Sequence, residues 1–135
     1  MDFKKAYKQI KSIEIEVRSY SDEGYKVRYD FERNLISWRD YYMWNNNFMK
    51  SITESKMEVL NAGLPSTRFL EAITELKDGS YSEKKILIRP CKWHITVEFF
   101  DMPKLDCTGE DRFPTEWIDL RSIVENTTEC SFRLH

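Results

Sequence analysis

Residues 13–31 read IEIEVRSYSDEGYKVRYDF, and this stretch decides the fold. Apolar and charged side chains alternate on both sides of a short turn that contains Asp and Gly, which is the pattern of two half-buried strands in a β-hairpin. Residues that face each other in an antiparallel pair point to the same side of the sheet. Pairing Val17 with Tyr29 or with Val27 satisfies this condition, whereas pairing Val17 with Arg28 does not. We therefore predict a hairpin and leave two registers open.

The segment after the hairpin predicts one more strand and two helices. Residues 35–44 fit a third strand, and the apolar positions of residues 48–60 recur at helical spacing. Gly63 and Pro65 follow closely and are typical of the end of a helix. A shorter helix is predicted over residues 66–76, ended by the Asp-Gly-Ser sequence that follows.

The C-terminal half repeats the order of strands followed by a helix. Residues 86–88 are extended, Pro90 predicts a bulge, an edge or a break, and residues 91–99 alternate as a strand. A short returning strand is predicted to stop at Gly109. The final helix is predicted over residues 113–126, because its apolar side chains recur at helical spacing.

These elements predict an α+β fold with two layers. Strands joined by hairpins make a mainly antiparallel sheet of four to five strands, and two to three helices pack on one of its faces. A length of 135 residues suits a single domain that covers residues 1–135.

The composition indicates a folded and nearly neutral chain. It has 21 basic and 23 acidic side chains, a formal charge of −2 and 41% hydrophobic residues. Nucleic-acid binding needs clustered cations, and acidic neighbours dilute the lysines near the N-terminus. No apolar run approaches the ~20 residues of a membrane-spanning helix. We therefore expect neither a nucleic-acid partner nor a membrane.

Cysteine usage and the first residues predict a cytoplasmic location. The sequence starts without the apolar stretch of a secretory signal. Cys91, Cys107 and Cys130 are an odd number of cysteines, so they cannot all pair within one chain. Reduced thiols in a cytoplasm are the simplest interpretation.

The last third of the chain carries a recognisable series of motifs. A strand led by Trp93 is followed by a second strand, by Gly109 and by an aromatic-Pro-x-x-Trp opening formed by Phe113, Pro114 and Trp117. This series resembles a group of small uncharacterised bacterial domains. The resemblance implies an α+β fold, and it assigns no activity and no catalytic residue.

The motifs of common catalytic and cofactor sites are missing from the sequence. It has four glycines and no glycine-rich phosphate loop, and His94 is its one internal histidine. Cys91, His94, Cys107 and Cys130 would complete a zinc set on paper. Cys91 and His94 are three residues apart on a predicted strand, however, so their side chains point to opposite faces. We expect no metal, no cofactor and no catalytic residue.

Residues 38–47 read WRDYYMWNNN and are the segment that ordinary packing explains least. If the segment is extended, it is apolar on both faces, so it is covered on both or exposes an aromatic patch. Tyr, Trp, Met and Arg are enriched at protein interfaces. The candidate binding residues are Trp38, Arg39, Tyr41, Tyr42, Trp44 and Asn46. Packing in the core is the alternative role for the same rings.

Two functions follow from these patterns, and both stay open. The first is a non-enzymatic module that binds an unknown protein partner, or forms a homo-oligomer, through this segment and a neighbouring sheet edge. The second is a small-ligand-binding protein or an enzyme with a pocket between sheet and helices, using carboxylates and His94. A fold stabilised by zinc is a third option. The missing catalytic motifs favour the first.

Overall fold

The computed structural model describes residues 2–21, 23–43, 45–81 and 85–133, and the side chains of residues 85–91 are not described. The described residues form six strands and four helices. In chain order these are α1 (Phe3–Lys8), β1 (Ile10–Ser19), β2 (Gly24–Asp30), β3 (Leu35–Asp40), β4 (Phe48–Ser51), α2 (Glu54–Thr67), α3 (Phe69–Asp78), β5 (Lys85–Phe99), β6 (Leu105–Pro114) and α4 (Trp117–Thr128).

One antiparallel sheet contains all six strands in the order β4-β3-β2-β1-β5-β6. The α+β class and the antiparallel sheet are confirmed, whereas the predicted four to five strands and two to three helices were too few. The extra strand is β4, and the extra helix is the short α1. β4 and β6 are the two edges of the sheet, and β1 lies inside it, between β2 and β5.

The core lies between one face of the sheet and the helices. Ile13, Ile15 and Val17 of β1 are buried, and the residues between them point to the other face, which we call the outer face. The inward side chains of the strands form one cluster with apolar side chains of the helices, such as Leu60 and Leu120. Each fully buried side chain of this size contributes about 1.5–3 kcal/mol relative to an exposed one. Strand alternation therefore sets the two-layer arrangement.

The β1–β2 hairpin has the predicted faces but neither of the predicted registers. Val17 pairs with Tyr25, two residues beyond the nearer of our two alternatives. β1 extends to Ser19, whose backbone N–H donates to the carbonyl of Glu23 at 2.9 Å. Gly24, which we expected in the loop, is the first residue of β2 and pairs with Arg18. A shift by two residues keeps every side chain on its face, so alternation alone did not determine the register.

The segment after β2 differs from the prediction because cross-strand packing replaces the expected helix. The third strand ends at Asp40 and not at residue 44. Residues 48–51, predicted as helix, form β4, in which Phe48 pairs with Trp38 and the two rings stack with centroids 6.2 Å apart. Helix α2 begins only after Thr53, whose hydroxyl accepts a hydrogen bond from the backbone N–H of Lys56.

Gly63 and Pro65 do not end helix α2, which continues to Thr67. A Cβ atom on Gly63 would lie 2.8 Å from Ile123 of α4, so the glycine permits close packing of two helices. The helix ends where Arg68 adopts a left-handed φ of 59°, and α3 then runs over Phe69–Asp78, with Gly79 directly after its end. The second predicted helix therefore exists, but it starts three residues later than we expected.

The C-terminal half follows the predicted order with longer strands, but the last helix starts at Trp117 and not at residue 113, because Phe113 and Pro114 pair with β5 as the end of β6. β5 includes both predicted extended stretches, and its register with β6 shifts between Leu87 and Lys92, around Pro90. β6 continues through Gly109, where the prediction stopped it, and α4 ends at Thr128. Within the described ranges, no helix has the length and apolar character that crossing a membrane requires.

Candidate functional site

The turn between β3 and β4 is organised by the carboxylate of Asp40. Its Oδ1 accepts hydrogen bonds from the backbone N–H groups of Tyr42 and Met43, both at 2.9 Å. Its Oδ2 accepts a bond of 3.1 Å from the side-chain amide of Asn46, and the backbone N–H of Asp40 donates to Asn47 Oδ1 at 2.9 Å. A side chain that binds backbone N–H groups two and three residues ahead ends a strand, which explains why β3 stops here.

These bonds also change the acidity of Asp40. Burial alone would raise the pKa of the carboxyl, but the bonds from Met43, Asn46 and Tyr42 together lower the pKa below its usual value of 3.8. The charged form is the one that holds the turn, because only a carboxylate accepts all of these bonds with both oxygens.

The predicted binding residues do not share one surface. Trp38 is buried in the core at 2% exposure, where its ring stacks on Phe48. Arg39 is exposed on the outer face, and Asn46 is exposed but is held by Asp40. Trp44 lies outside the described residues.

Tyr41 is tied into the outer face of the sheet. Its hydroxyl donates to Glu16 Oε2 at 2.5 Å, and the guanidinium groups of Arg18 and Arg39 lie 4.3 and 5.0 Å from the centre of its ring. Burial raises the pKa of Tyr41 to about 12, helped by the hydrogen bond to Glu16 and its negative charge. The ring therefore has its contacts within the molecule.

Tyr42, Met43 and Met49 are the large apolar side chains that this hairpin exposes. Their exposed fractions are 70%, 51% and 66%. We call these three side chains, together with the side of β4 that pairs with no described strand, the β4 edge surface. Met43 and Met49 were missing from our predicted set, and Met49 had been assigned to a helix. The interface composition of the segment was the signal that could have included them.

His94 lies on the outer face and outside any described cavity. Its ring forms a hydrogen bond with Asp106, and the hydroxyl of Thr96 donates to the same carboxylate at 3.3 Å. The hydrogen bond to His94 lowers the pKa of Asp106. The His94 side chain is 45% exposed, so it stands in water and not beside a pocket.

The structure does not bring the described candidate zinc ligands together. Cys107 faces the core opposite Ile95, whereas His94 faces the other side of the sheet, so the two side chains cannot hold one ion. Cys130 is half-buried after α4, and the side chain of Cys91 lies outside the described part. Among the described residues, no group of three His, Cys, Asp or Glu side chains could hold a metal ion.

A cavity of about 670 Å³ lies where α1 and α2 cover one end of the sheet. Ile10, Leu60 and Leu64 form an aliphatic floor, and Lys4 and Lys8 of α1 stand among the lining residues. From the sequence we predicted a pocket between sheet and helices, lined by carboxylates and His94. The residues that line this cavity could not be predicted, because they come from segments far apart in the chain.

Comparison with known proteins identified no relative of the chain. No protein family, no curated protein and no solved structure matches the chain. The resemblance of the last third to small bacterial domains stays a prediction, and function is argued from the β4 edge surface and the cavity.

Proposed function

We propose that the protein is a non-enzymatic self-association module in which two copies pair through the β4 edge surface. The observation that carries the proposal is the exposure of Tyr42, Met43 and Met49 beside β4, which pairs only with β3 among the described strands. Unpaired backbone N–H and C=O groups at a sheet edge are a template for another strand.

The charge pattern supports a second copy as the partner. Residues 41–49 contain no charged side chain, in a chain whose charged residues make up 33%. In a two-fold pair the same surface meets itself, so a charged edge would oppose like charges. The side chain of Lys50 in β4 is already bound at the end of helix α4. Its ammonium lies 3.1 Å from the carbonyl of Thr128 and 3.4 Å from the carboxylate of Glu129. Two antiparallel copies of β4 therefore meet without repulsion.

The size of the surface supports a weak association. β4 has four residues, so strand pairing adds only a few backbone hydrogen bonds, and three apolar side chains add the buried area. Contacts below about 1,200 Å² are typical of transient complexes. We expect a dimer whose population depends on concentration.

Sedimentation equilibrium tests the proposal. The unchanged protein is expected to approach twice its mass of 16.3 kDa as its concentration rises. Met49→Lys places a charge at the contact and is expected to keep the protein monomeric. Ile118→Lys is the matched control, because Ile118 is also an exposed apolar residue, at 46%, but lies on α4. A mass that stays at 16.3 kDa at every concentration, or equal effects of the two substitutions, contradicts the proposal.

A second candidate function is small-ligand binding, and the cavity at α1 and α2 supports it. Its volume lies in the range of about 300–1,000 Å³ that is usual for ligand sites. The enzymatic form of this candidate has less support, because His94 and Asp106 stand on the outer face and are not among the residues that line the cavity.

The proposal includes a cytoplasmic location. Cys107 and Cys130 are free thiols in the described part of the chain, and free thiols are usual in reducing compartments. A bacterial source belongs to the proposal through the resemblance of the last third alone.

A further inference from the structure

We propose that the cavity between α1 and α2 binds a single-chain amphiphile with one anionic head group, of which a medium-chain fatty acid is the simplest example. This inference deepens the second candidate function, ligand binding, and rests on it. It is independent of the β4 edge surface, since the two sites share no residue.

The interior of the cavity suits an alkyl chain. Leu60 is fully buried, and Ile10 and Leu64 are 6% exposed, so the floor is closed by aliphatic side chains. Phe31 and Phe100 line the cavity from the turns after β2 and β5, and Phe100 is 53% exposed. Covering such surface stabilises a complex by roughly 25 cal/mol per Å² of apolar area removed from water. An alkyl chain in the cavity would cover apolar surface that water now contacts.

The charged groups of the lining are all positive. Lys4 and Lys8 are four residues apart, so they stand on the same side of α1. Neither forms an ion pair with another described residue, and no acidic side chain is among the residues that line the cavity. An anionic head group would meet two ammonium groups, whereas a cationic head would be repelled.

The other polar groups of the lining contribute less than the two lysines to the choice of head group. The hydroxyl of Tyr7 donates to Glu71 at 2.6 Å and accepts from the backbone N–H of Leu70 at 3.1 Å, so it is already engaged. Burial, together with the bond to Glu71, raises the pKa of Tyr7, which keeps the phenol neutral. The side-chain amide of Asn61, also in the lining, forms no described hydrogen bond and can donate to an anion.

Isothermal titration calorimetry with decanoate, 1-decanol and decyltrimethylammonium tests the inference, because the three probes have similar alkyl chains and differ in charge. Decanoate is expected to bind most tightly, and the cationic probe most weakly. Lys4→Gln combined with Lys8→Gln is expected to weaken decanoate binding by roughly 2- to 30-fold, as for the loss of two exposed ion pairs. Lys5→Gln is the matched control, because Lys5 is on the same helix but does not line the cavity; it is expected to change nothing.

Asn61→Trp is expected to abolish decanoate binding, because the exposed Asn61 stands in the lining and a large ring there fills the cavity without disturbing its floor. Circular dichroism confirms that each variant is folded. Equal affinity for the three probes, or an equal loss in Lys5→Gln, overturns the anionic head group while ligand binding itself stands. Unchanged decanoate binding in Asn61→Trp overturns the site, and no binding of any probe to the folded protein overturns the ligand-binding function as well.

Discussion

The two edges of the sheet, β4 and β6, differ in how well they are protected against pairing with another strand. Their lengths do not predict this difference. β6 has ten residues and offers the longer row of backbone groups, yet it carries Asp106, Glu110 and Arg112, and Asp111 bends it with a φ of 64°. β4 has four residues and adjoins an uncharged turn with exposed Met and Tyr side chains. Charges and bends are how natural sheets protect their edges. The comparison teaches that the shorter edge is the less protected one.

The two edges are also anchored differently. At β6, the ring of Trp93 lies across Gly109, and its indole N–H donates to the carbonyl of Arg112 at 2.9 Å. At β4, the anchor is the turn that Asp40 holds. Substitutions at the two anchors therefore test two properties separately: the stability of the fold and the association of two copies.

The largest expected effect is at the β6 anchor. A Cβ atom on Gly109 would lie 2.3 Å from the Trp93 ring, so Gly109→Val forces the ring away and breaks its bond to Arg112. We expect the free energy of unfolding to fall by about 2–4 kcal/mol, from overpacking and the lost hydrogen bond. Urea denaturation measures this. Thr108→Val, at an exposed neighbour, serves as the control, and a loss below about 1 kcal/mol for Gly109→Val would show that the ring moves freely.

The next effect is at the β4 anchor. Asp40→Ala removes the acceptor of three hydrogen bonds, and we expect it to lower the free energy of unfolding by about 1–3 kcal/mol. The loosened turn is also expected to weaken dimerisation, as measured by sedimentation equilibrium. Asp106→Ala on the exposed face of β6 is the comparison and should cost less than about 1 kcal/mol. Equal costs at the two edges would contradict the role given to the turn.

Acid should affect the β4 turn through Asp40. Because its pKa in the folded protein is lowered below 3.8, its contribution to stability is fully present above that pH and is lost as the pH falls through the folded value. Asp40→Asn is expected to remove this part of the pH dependence. Urea denaturation at a series of acidic pH values compares the two proteins, and parallel curves would exclude Asp40 as the group responsible.

The smallest effect on stability is expected when the protection of β6 is reduced. Thr108→Met combined with Glu110→Met replaces two exposed side chains of β6 by apolar ones. We expect the free energy of unfolding to change by at most about 1 kcal/mol. Association is expected to appear even when Met49→Lys blocks β4. A protein that stays monomeric in that background would mean that the bend at Asp111, together with the remaining charges of Asp106 and Arg112, is enough to protect the edge.

The alternation of side chains made the faces of the sheet predictable. Trp93, Ile95, Val97 and Phe99 are all buried, as their spacing indicated. The registers and ends were not predictable in the same way, because they depend on single hydrogen bonds in turns. The carboxylate of Asp40, for example, ends β3 through contacts that no periodicity reveals.

The candidate sites were predictable only in part. The composition of residues 38–47 pointed to the hairpin that exposes Tyr42 and Met43, but burial separates Trp38 from Tyr42. Met49 was missed because apolar residues at short spacing fit a helix as well as a strand. The lysines of the cavity were missed because only the packing of α1 on α2 and the sheet brings them beside an apolar pocket.

The place of β1 between β2 and β5 has a consequence for biosynthesis. Its pairing with β2 needs a partner a few residues away, but its pairing with β5 joins Val17 to Trp93, across more than half of the chain. Until the ribosome has released β5, the nascent sheet ends at β1, with the apolar side chains of its inner face incompletely covered. The growing chain therefore has a temporarily unpaired strand from the synthesis of β1 until that of β5, and during that stage chaperones have the most apolar surface to bind.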